Sequence, residues 1–218
     1  DRATLYYECN QTSGGIVSDF RGGNNGAIDN SALYFDFSSD LNRYCLKKGD
    51  STTAGITPST RPVNNATYTV SCRAKPTGPN DAAGGQFFLI NSEPERTYRL
   101  YTSAINYQYS TSPYPNKTGN FIADGGWHQY VWVNKDIGDG TATLRMYVDG
   151  VKLSDTSLSS SEYNNQIAVA QKFLVQRPYS DYYYQFIGEI CNIAVFDAVE
   201  LSDADVANLY TQTLPISS

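Results

Sequence analysis

The last third of the chain constrains its fold most, because it holds a specific order of secondary-structure signals. Residues 127–133 (WHQYVWV) alternate in period two, which predicts a strand. Residues 144–150 (LRMYVDG) end in Asp-Gly, a strong signal for a two-residue hairpin turn of type I′. Residues 186–210 then predict a long strand followed by one short helix. This order indicates a β-sandwich and says little about chemistry.

The rest of the sequence predicts further strands, bounded by clusters of Gly, Asn, Asp and Pro. Residues 67–75 place Val70, Cys72 and Ala74 on one face and polar side chains on the other, which predicts a sheet with one solvated side. The other predicted strands cover residues 4–9, 32–37, 43–47, 86–91, 98–109, 120–122, 168–176 and 186–197. About a dozen strands without βαβ alternation predict an all-β fold, a two-sheet antiparallel sandwich.

One helix is predicted, at about residues 202–211. Ser202 fits its N-cap, and Asp205 three residues later resembles the acidic partner of a capping box. Leu201 and Val206 are spaced to form a hydrophobic staple across the helix start.

Length and charge restrict the function classes. A chain of 218 residues suits a single domain, here residues 1–218. The net charge of -6 argues against sequence-independent binding to nucleic acid and against docking on anionic membranes. No apolar run approaches the ~20 residues of a membrane span, so we expect no membrane insertion. The start Asp-Arg-Ala-Thr fits a product of signal cleavage, with a trimmed terminus as the alternative.

The cysteines favour an extracellular location, whereas the sequons add little to that prediction. Four cysteines without a CxxC pair, and with one His in the chain, predict two disulfides rather than a zinc site. The alternative is four buried free thiols in a cytosolic protein. Candidate N-glycosylation sites number about as many as chance produces from this content of Asn, Ser and Thr. They are Asn10, Asn65 and Asn116.

Several motifs in order resemble a known family. Residues 5–10 (LYYECN) and 18–28 (SDFRGGNNGAI) are similar to its first strand and its Asp-x-x-Gly-x-Asn-x-Gly loop. WHQYVWV, LRMYVDG and residues 188–210 (GEICNIAVFDAVELSDADVANLY) are similar to its central strand pair and its closing strand and helix. From about residue 4 to 210 the chain resembles a laminin G-like jelly-roll domain of the concanavalin A-like lectin/glucanase superfamily, with pentraxins as relatives.

The resemblance implies two antiparallel sheets, with rim loops that often carry calcium or sugar sites. In pentraxins an acidic residue and a Gln before the last strand bind calcium, whereas here Arg177 follows Gln176, which argues against that type of site. A structural calcium held by Asp19, Asn24 and Asp197 is the remaining metal expectation, because the family brings the first loop near the end of the last strand. Ordinary turn capping by these residues is the alternative, and no cofactor is expected to be required.

The family's strand order also bears on the disulfides. It places the last strand between the first strand and residues 67–75, so Cys191 can reach either Cys9 or Cys72. We favour Cys9–Cys191 with Cys45–Cys72, and the other pairing stays open.

Catalysis is not expected. Glucanases of the superfamily carry an ExDxxE triplet, which this sequence lacks, and Glu93 and Glu95 flank Pro94 in a turn-like segment. His128 lies beside Trp127, where the family motif uses His for packing rather than as a base. We therefore expect a non-enzyme.

Tyrosines carry the best functional signal. Tyr182, Tyr183 and Tyr184 are consecutive, so at least one must face outward from an extended segment. Exposed aromatic rings suit sugar faces and protein interfaces, although sandwich strands are rich in Tyr in any case. The ligand-binding candidates are Tyr182, Tyr183, Tyr184, Arg177, Gln176, Tyr107 and Tyr109.

Together these features predict a secreted, non-catalytic binding or adhesion module that recognises glycans or glycoproteins through a Tyr-rich surface. The alternative is a structural subunit of an extracellular fibre, coat or adhesive assembly, which would self-associate. A glycan-cleaving enzyme is the remote alternative.

Overall fold

A computed structural model describes residues 2–48, 54–77, 85–92, 95–100, 104–109, 116–120, 124–160, 171–173 and 186–213. Within these ranges the chain forms sixteen strands and one helix. The elements are β1 (Leu5–Tyr7), β2 (Ile16–Val17), β3 (Gly26–Ile28), β4 (Leu33–Ser38), β5 (Arg43–Lys48), β6 (Ile56–Pro58), β7 (Tyr68–Pro76), β8 (Gly85–Ser92), β9 (Glu95–Leu100), β10 (Ala104–Tyr109), β11 (Asn116–Asn120), β12 (His128–Asp136), β13 (Ala142–Val148), β14 (Val151–Leu158), β15 (Lys172–Phe173), β16 (Gly188–Asp197) and α1 (Asp203–Thr213).

The strands form two antiparallel sheets. The first has the order β14-β13-β12-β7-β16-β5-β4, and β1 pairs with the second half of β16. The second has the order β11-β10-β9-β8-β15-β6-β3-β2. This architecture confirms the predicted all-β jelly-roll sandwich with one short C-terminal helix. No helix among the described residues is long and apolar enough to cross a membrane.

Aromatic side chains fill much of the space between the sheets. Trp132 of β12 stacks on Phe87 of β8, with ring centroids 5.4 Å apart, and Phe87 contacts Phe173 at 5.7 Å. Tyr7 reaches the same region and meets Phe173 edge-on at 5.9 Å. All four side chains are fully buried, so both sheets share one core.

The Asp-Gly hairpin has the predicted geometry. Asp149 and Gly150 have φ angles of 51° and 77°, as a type I′ turn requires at its two central positions. They join β13 to β14, and Val148 lies opposite Val151. The local sequence is sufficient for this turn, because Asp and Gly tolerate positive φ.

Two predicted boundaries differ from the structure. The predicted strand at 98–109 spans two strands, because β9 and β10 pair antiparallel, with Leu100 opposite Ile105. Of the predicted strand at 120–122, only Asn120 is among the described residues, and it is the last residue of β11. Of the predicted strand at 168–176, the described part is β15.

The predicted solvated side of β7 is wrong. Thr69, Ser71 and Arg73 are 0%, 2% and 8% exposed, although they alternate with the core residues of this strand. The segment leading into α1 crosses this face, since the Thr69 hydroxyl donates to the carbonyl of Val199 and accepts from the N–H of Leu201. Both faces of β7 are therefore buried at these positions. The alternation of polar and apolar residues in this strand does not mark a face exposed to solvent.

Candidate functional site

Helix α1 lies on the outer face of the first sheet and forms a second, smaller apolar cluster there. Val131 and Val133 of β12 alternate with Tyr130 and Trp132, which point into the main core. The other buried members are Tyr147, Ala194, Phe196, Leu201 and Val206. The short helix covers only part of the outer face of the first sheet. A surface groove lies at the edge of the covered part.

The start of α1 is capped as its sequence predicts. The N–H and the hydroxyl of Ser202 donate to the carboxylate of Asp205, at 2.9 and 2.7 Å, and the N–H of Asp205 donates to the Ser202 hydroxyl at 3.1 Å. These hydrogen bonds, with the nearby Arg2, lower the pKa of Asp205 to about 2. Leu201 and Val206 are both buried, in agreement with the predicted staple.

A second acidic residue fixes α1 to the sheet. The carboxylate of Asp203 accepts from the Tyr147 hydroxyl at 2.7 Å, and it pairs with Lys152 at 3.0 Å and Arg145 at 3.1 Å. The hydrogen bond from Tyr147 and the contact with Lys152 lower the pKa of Asp203 to about 2. The carboxylate also lies at the positive end of the helix dipole, so the helix is held in one position.

An open groove runs between α1 and the loop that follows β2. Its wider part has a volume of about 410 Å³ and is lined by Tyr6, Phe20, Arg21, Phe196, Leu209 and Gln212, among others. Its narrower part, about 210 Å³, follows the helix past Asp205 and Asn208. Arg2, Phe196, Leu209 and Gln212 line both parts, so the two form one continuous depression.

Local hydrogen bonds order the loop beside the groove. The carboxylate of Asp19 accepts the backbone N–H groups of Tyr6, Arg21 and Asn24 at 2.9, 3.0 and 3.3 Å. This arrangement orders the glycine-rich turn and presents Phe20 outward, with 72% of its surface exposed. The ring of Phe20 meets that of Tyr6 edge-on, with centroids 6.1 Å apart.

Polar groups at the groove are ordered as well. Arg2 pairs with Asp205 at 2.8 Å, and Nε of Arg21 donates to the carbonyl of Ala3 at 3.2 Å. The Tyr6 hydroxyl donates to Asn192 at 3.2 Å, and burial, followed by the charge of Glu8, raises the pKa of Tyr6 to about 12. The groove thus combines an apolar floor, an exposed ring and fixed polar groups, which suits a ligand with an apolar face and polar edges.

The predicted tyrosine surface is tested at one position. Tyr107 is fully buried, because it points from β10 into the core and packs on Tyr98 at 5.3 Å. Its prediction as a ligand-binding residue is therefore wrong. The backbone of Tyr109 pairs with Arg96, and its side chain is not described. The remaining candidates, Gln176, Arg177, Tyr182, Tyr183 and Tyr184, lie outside the described residues.

The predicted calcium ligands order loops. Asp19 and Asn24 belong to the turn beside the groove, where the Asn24 side-chain oxygen accepts from the N–H of Thr60 at 2.8 Å. Asp197 accepts the N–H groups of Asn64 and Asn65, each at 2.9 Å. Within the described ranges no cluster of three or more His, Cys, Asp or Glu could hold a metal ion. Turn capping accounts for all three residues, and calcium binding stays a prediction.

The predicted disulfides are absent from the structure. Cys9, Cys45, Cys72 and Cys191 are all free and buried. Cys45 and Cys72 lie on β5 and β7, which β16 separates, and strands two positions apart are about 9–10 Å distant, too far for a disulfide. Leu46 lies opposite Ile190, so the next residues along the two strands are Cys45 and Cys191, which share a hydrogen bond. The thiol of Cys9 instead donates to the carbonyl of Tyr7 at 3.5 Å.

His128 has a structural environment, in agreement with its predicted packing role. Nδ1 lies 2.6 Å from a carboxylate oxygen of Asp149, and Nε2 lies 3.0 Å from one of Asp124. The other oxygen of Asp149 accepts the N–H of Gln129 at 2.8 Å. The histidine therefore joins the start of β12 to the hairpin turn, and both of its nitrogens are engaged.

The sequons differ in their surroundings. Asn10 and Asn65 are exposed, but Nδ2 of Asn65, the atom that would carry a glycan, donates to Asp197 at 2.9 Å. The side-chain oxygen of Asn10 accepts the N–H of Tyr44. Asn116 begins β11, and its side chain is not described. Glycosylation at all three stays a prediction.

The sequence reasoning missed the groove. In the sequence, Tyr6 is one residue of the predicted strand at 4–9, and Phe20 lies within the glycine-rich segment at 18–28. A large apolar residue within a loop of Gly, Asn and Asp was the available signal. The contribution of Leu209 and Gln212 had no such signal, because it depends on where α1 docks.

A sandwich of two antiparallel sheets, closed by one C-terminal helix and bearing an open surface groove, defines the chain as a lectin-like jelly roll. It belongs to the laminin G-like family whose model carries the description Concanavalin A-like lectin/glucanases superfamily and matches residues 50–207. No curated protein sequence matches the chain.

Solved structures share this fold. Domain 4 of AbnA, an extracellular GH43 arabinanase from Geobacillus stearothermophilus, in complex with arabinotriose, has a TM-score of 0.69 and 18% identity, covering 96% of this chain and 98% of that domain. The botulinum neurotoxin type G receptor binding domain has a TM-score of 0.64 and 12% identity, with 97% of this chain and 51% of that one covered. The binding domain of botulinum neurotoxin DC, in complex with rat synaptotagmin II, has a TM-score of 0.64 and 12% identity, with 97% of this chain and 52% of that one covered. The chain thus spans about half of the toxin binding domains, and these identities show the fold alone.

Proposed function

We propose that this chain is a non-catalytic module of a secreted protein and that it binds carbohydrate, either free glycans or the glycans of glycoproteins. The main support is the end-to-end likeness to arabinanase domain 4, which covers 98% of that domain and was solved with arabinotriose. A likeness that covers 96% of this chain and 98% of that domain makes a related binding role the simplest expectation.

The groove beside α1 supports this function. It places the exposed ring of Phe20 in the same depression as the hydrogen-bonding side chain of Gln212, and the narrower part adds the side chain of Asn208. Sugars present apolar C–H faces and polar hydroxyl edges, so a site that recognises them needs both kinds of surface. The side chains come from a capped helix and an ordered loop, which reduces the entropy lost on binding.

The same groove gives little support for cleavage. Glycoside hydrolysis uses two carboxyl groups about 5–10 Å apart, one of them with a raised pKa. Asp205 is the one acidic residue among the described residues that line the groove. Its pKa is lowered to about 2 and its oxygens bind Ser202 and Arg2, so it would be a poor proton donor.

A glycan array probed with the folded chain tests the proposal, followed by calorimetric titration of arabinotriose and of the strongest array ligand. We expect dissociation constants of millimolar or tighter, equivalent to at least about 4 kcal/mol. Incubation with the bound polysaccharide should release no new reducing ends. An array without ligands would contradict the binding role, and released reducing ends would contradict the non-catalytic role.

Secretion is a separate part of the proposal and needs its own test. Expression of the full-length natural protein in its source cells, followed by immunodetection in the medium and in cell lysate, should find it in the medium. Accumulation inside the cells would contradict an extracellular role while leaving carbohydrate binding untouched.

A structural subunit of an extracellular assembly is the second candidate function. The observation that favours it is strand β4, which is last in the described order of the first sheet and exposes Tyr34 and Phe37, at 43% and 50%. An exposed apolar strand at a sheet edge is a template for pairing with another chain. Light scattering after size exclusion distinguishes the two functions, since an assembly subunit would form oligomers that Phe37→Lys disrupts.

A further inference from the structure

Two cysteines of the first sheet lie opposite each other on neighbouring strands. Strand β5 pairs antiparallel with β16, with Leu46 opposite Ile190, and the next positions along the two strands are Cys45 and Cys191. The two thiols share a hydrogen bond, so both side chains point to the same side of the sheet. Opposite residues of antiparallel strands have Cα atoms about 4.5–5.5 Å apart, within the range of about 4.4–6.8 Å that a disulfide spans. The pair therefore has the backbone geometry of a cross-strand disulfide.

A third cysteine competes for the same partner. Strand β1 also pairs with β16, with Tyr7 opposite Ile193, and this register carried on by two residues brings Cys9 towards Cys191. The chain leaves the extended conformation at Cys9, which has a φ of 59°. The thiol of Cys9 donates to the carbonyl of Tyr7 at 3.5 Å and accepts from the N–H of Ile193. Backbone groups thus hold the thiol of Cys9, whereas the thiol of Cys45 contacts that of Cys191.

Formation of a disulfide is a two-electron oxidation and needs an oxidant. One cysteine, as the thiolate, attacks a low-molecular-weight disulfide such as oxidised glutathione and releases one glutathione thiolate. The second cysteine attacks the resulting mixed disulfide and releases the other glutathione, so one disulfide replaces the other and two protons are lost from the cysteines. Cys45 and Cys191 are 1% and 0% exposed, so the exchange takes place while the chain folds, before β5 closes on β16.

We propose that Cys45 and Cys191 form a modification site, joined by a disulfide in an oxidising compartment, while Cys9 and Cys72 stay as thiols. The structure holds this pair in its reduced form. Cys72 has Tyr130 of β12 opposite it rather than another cysteine. The bond ties β5 to the long strand β16 and closes a loop of roughly 150 residues, which restricts the unfolded chain. Secretion would supply the oxidising compartment, and carbohydrate binding is not needed for the bond to form.

Peptide mapping of the chain refolded with oxidised and reduced glutathione tests the assignment. Cleavage after Lys and Arg places each of the four cysteines in a separate peptide. With free thiols blocked and no reductant, we expect one crosslinked species, which joins the peptides of Cys45 and Cys191. Cys9 and Cys72 should carry the blocking group. The chain kept in reductant and then denatured should carry it at all four cysteines.

The crosslink should also stabilise the fold. We expect the thermal unfolding midpoint of the oxidised chain to exceed that of the reduced chain by roughly 5–15 °C. Cys45→Ser should remove this difference, whereas Cys72→Ser, at an equally buried position, should keep it. Comparison of the oxidised and reduced forms of one variant cancels any cost of the substitution itself.

Three outcomes would overturn the assignment. They are a crosslink between Cys9 and Cys191, four blocked thiols after refolding with oxidised glutathione, and a Cys45→Ser variant that keeps the full difference between its oxidised and reduced forms. The glycan array, probed with the reduced chain, is read separately. Failure of the crosslink therefore leaves the proposed carbohydrate binding untouched, and an array without ligands leaves the crosslink untouched.

Discussion

At the scale of single residues, the burial of the four cysteines predicts how they react with thiol reagents. Each is at most 1% exposed. Burial raises the pKa of Cys9 and Cys72, and the hydrogen bond with Cys191, together with burial, raises the pKa of Cys45. Because the thiolate is the reactive form, we expect the folded protein to resist a thiol reagent such as dithionitrobenzoate and the denatured protein to react at all four cysteines. Fewer than four equivalents without a reductant would instead reveal disulfides.

His128 should make stability depend on pH. The hydrogen bond with Asp149, and then the charge of Asp124, raise the pKa of His128 above its usual value of about 6.5. The stabilisation from the protonated ring is complete below that value and is lost as pH rises through the folded-state pKa. We therefore expect the unfolding midpoint to fall from mildly acidic to mildly alkaline pH.

Two variants test whether the contact between His128 and Asp149 causes this pH dependence of stability. Asp149→Asn keeps an oxygen for the N–H of Gln129 but removes the charge, so it should cost about 1.5–3 kcal/mol in mildly acid solution and less in alkaline solution. Asp124→Asn is the control, since the Asp124 side chain is 65% exposed and its loss should matter less. Thermal unfolding across pH measures both, and equal pH profiles for Asp149→Asn and the unmodified chain would contradict the assignment.

At the scale of elements, Gly188 at the start of β16 has the least room for a side chain among the described glycines. It has φ of +141°, and a Cβ there would collide with the carbonyl oxygen of Lys75 in the neighbouring strand β7. We expect Gly188→Ala to cost about 3 kcal/mol or more, because backbone strain and a clash with backbone add. Chemical denaturation measures the free energy of unfolding.

Gly15→Ala is the matched control for this prediction. No atom lies within 4 Å of the position that its Cβ would take, so the free energy of unfolding should change by less than about 0.5 kcal/mol. A similar cost at both positions would mean that the loss of glycine, and not the contact with Lys75, determines stability.

At the scale of the whole molecule, the two ends of the chain close the sandwich. Strand β1 pairs with β16, with Leu5 opposite Val195 and Tyr7 opposite Ile193. Leu5 and Tyr7 are fully buried, and the Tyr7 hydroxyl donates to the carbonyl of Asn24 at 2.7 Å. The N-terminal strand β1 is therefore part of the core, although its partner strand β16 lies in the last part of the sequence.

Removal of residues 1–7 should therefore abolish cooperative unfolding. Each buried side chain contributes about 2–5 kcal/mol, and a domain is stable by only about 5–15 kcal/mol. Removal of residues 1 and 2 alone is the control, since it costs one exposed ion pair between Arg2 and Asp205, worth about 1 kcal/mol at most. A cooperative thermal transition in the longer deletion would show that β1 is dispensable.

Local patterns predicted the elements of this fold well. The Asp149-Gly150 turn and the Ser202–Asp205 capping box have the structure expected of them, because each depends on residues within a few positions of one another. The order of motifs from about residue 4 to 210 was enough to predict the lectin-like family, which the family-model match over residues 50–207 confirms. Residues 98–109 were predicted as one strand because their pattern did not show where the chain reverses.

By itself the sequence determined the fold class, the main strands and the capped helix, since alternation, turn chemistry and capping act over short distances. Only the tertiary structure decided which surfaces are exposed and which residues meet. Strand order separates Cys45 from Cys72. The segment before α1 crosses the outer face of β7, and α1 itself brings Leu209 and Gln212 beside Phe20. The contacts of α1 and of the segment before it join residues more than a hundred positions apart. No local pattern specifies such contacts, and the groove of the proposed function is made of them.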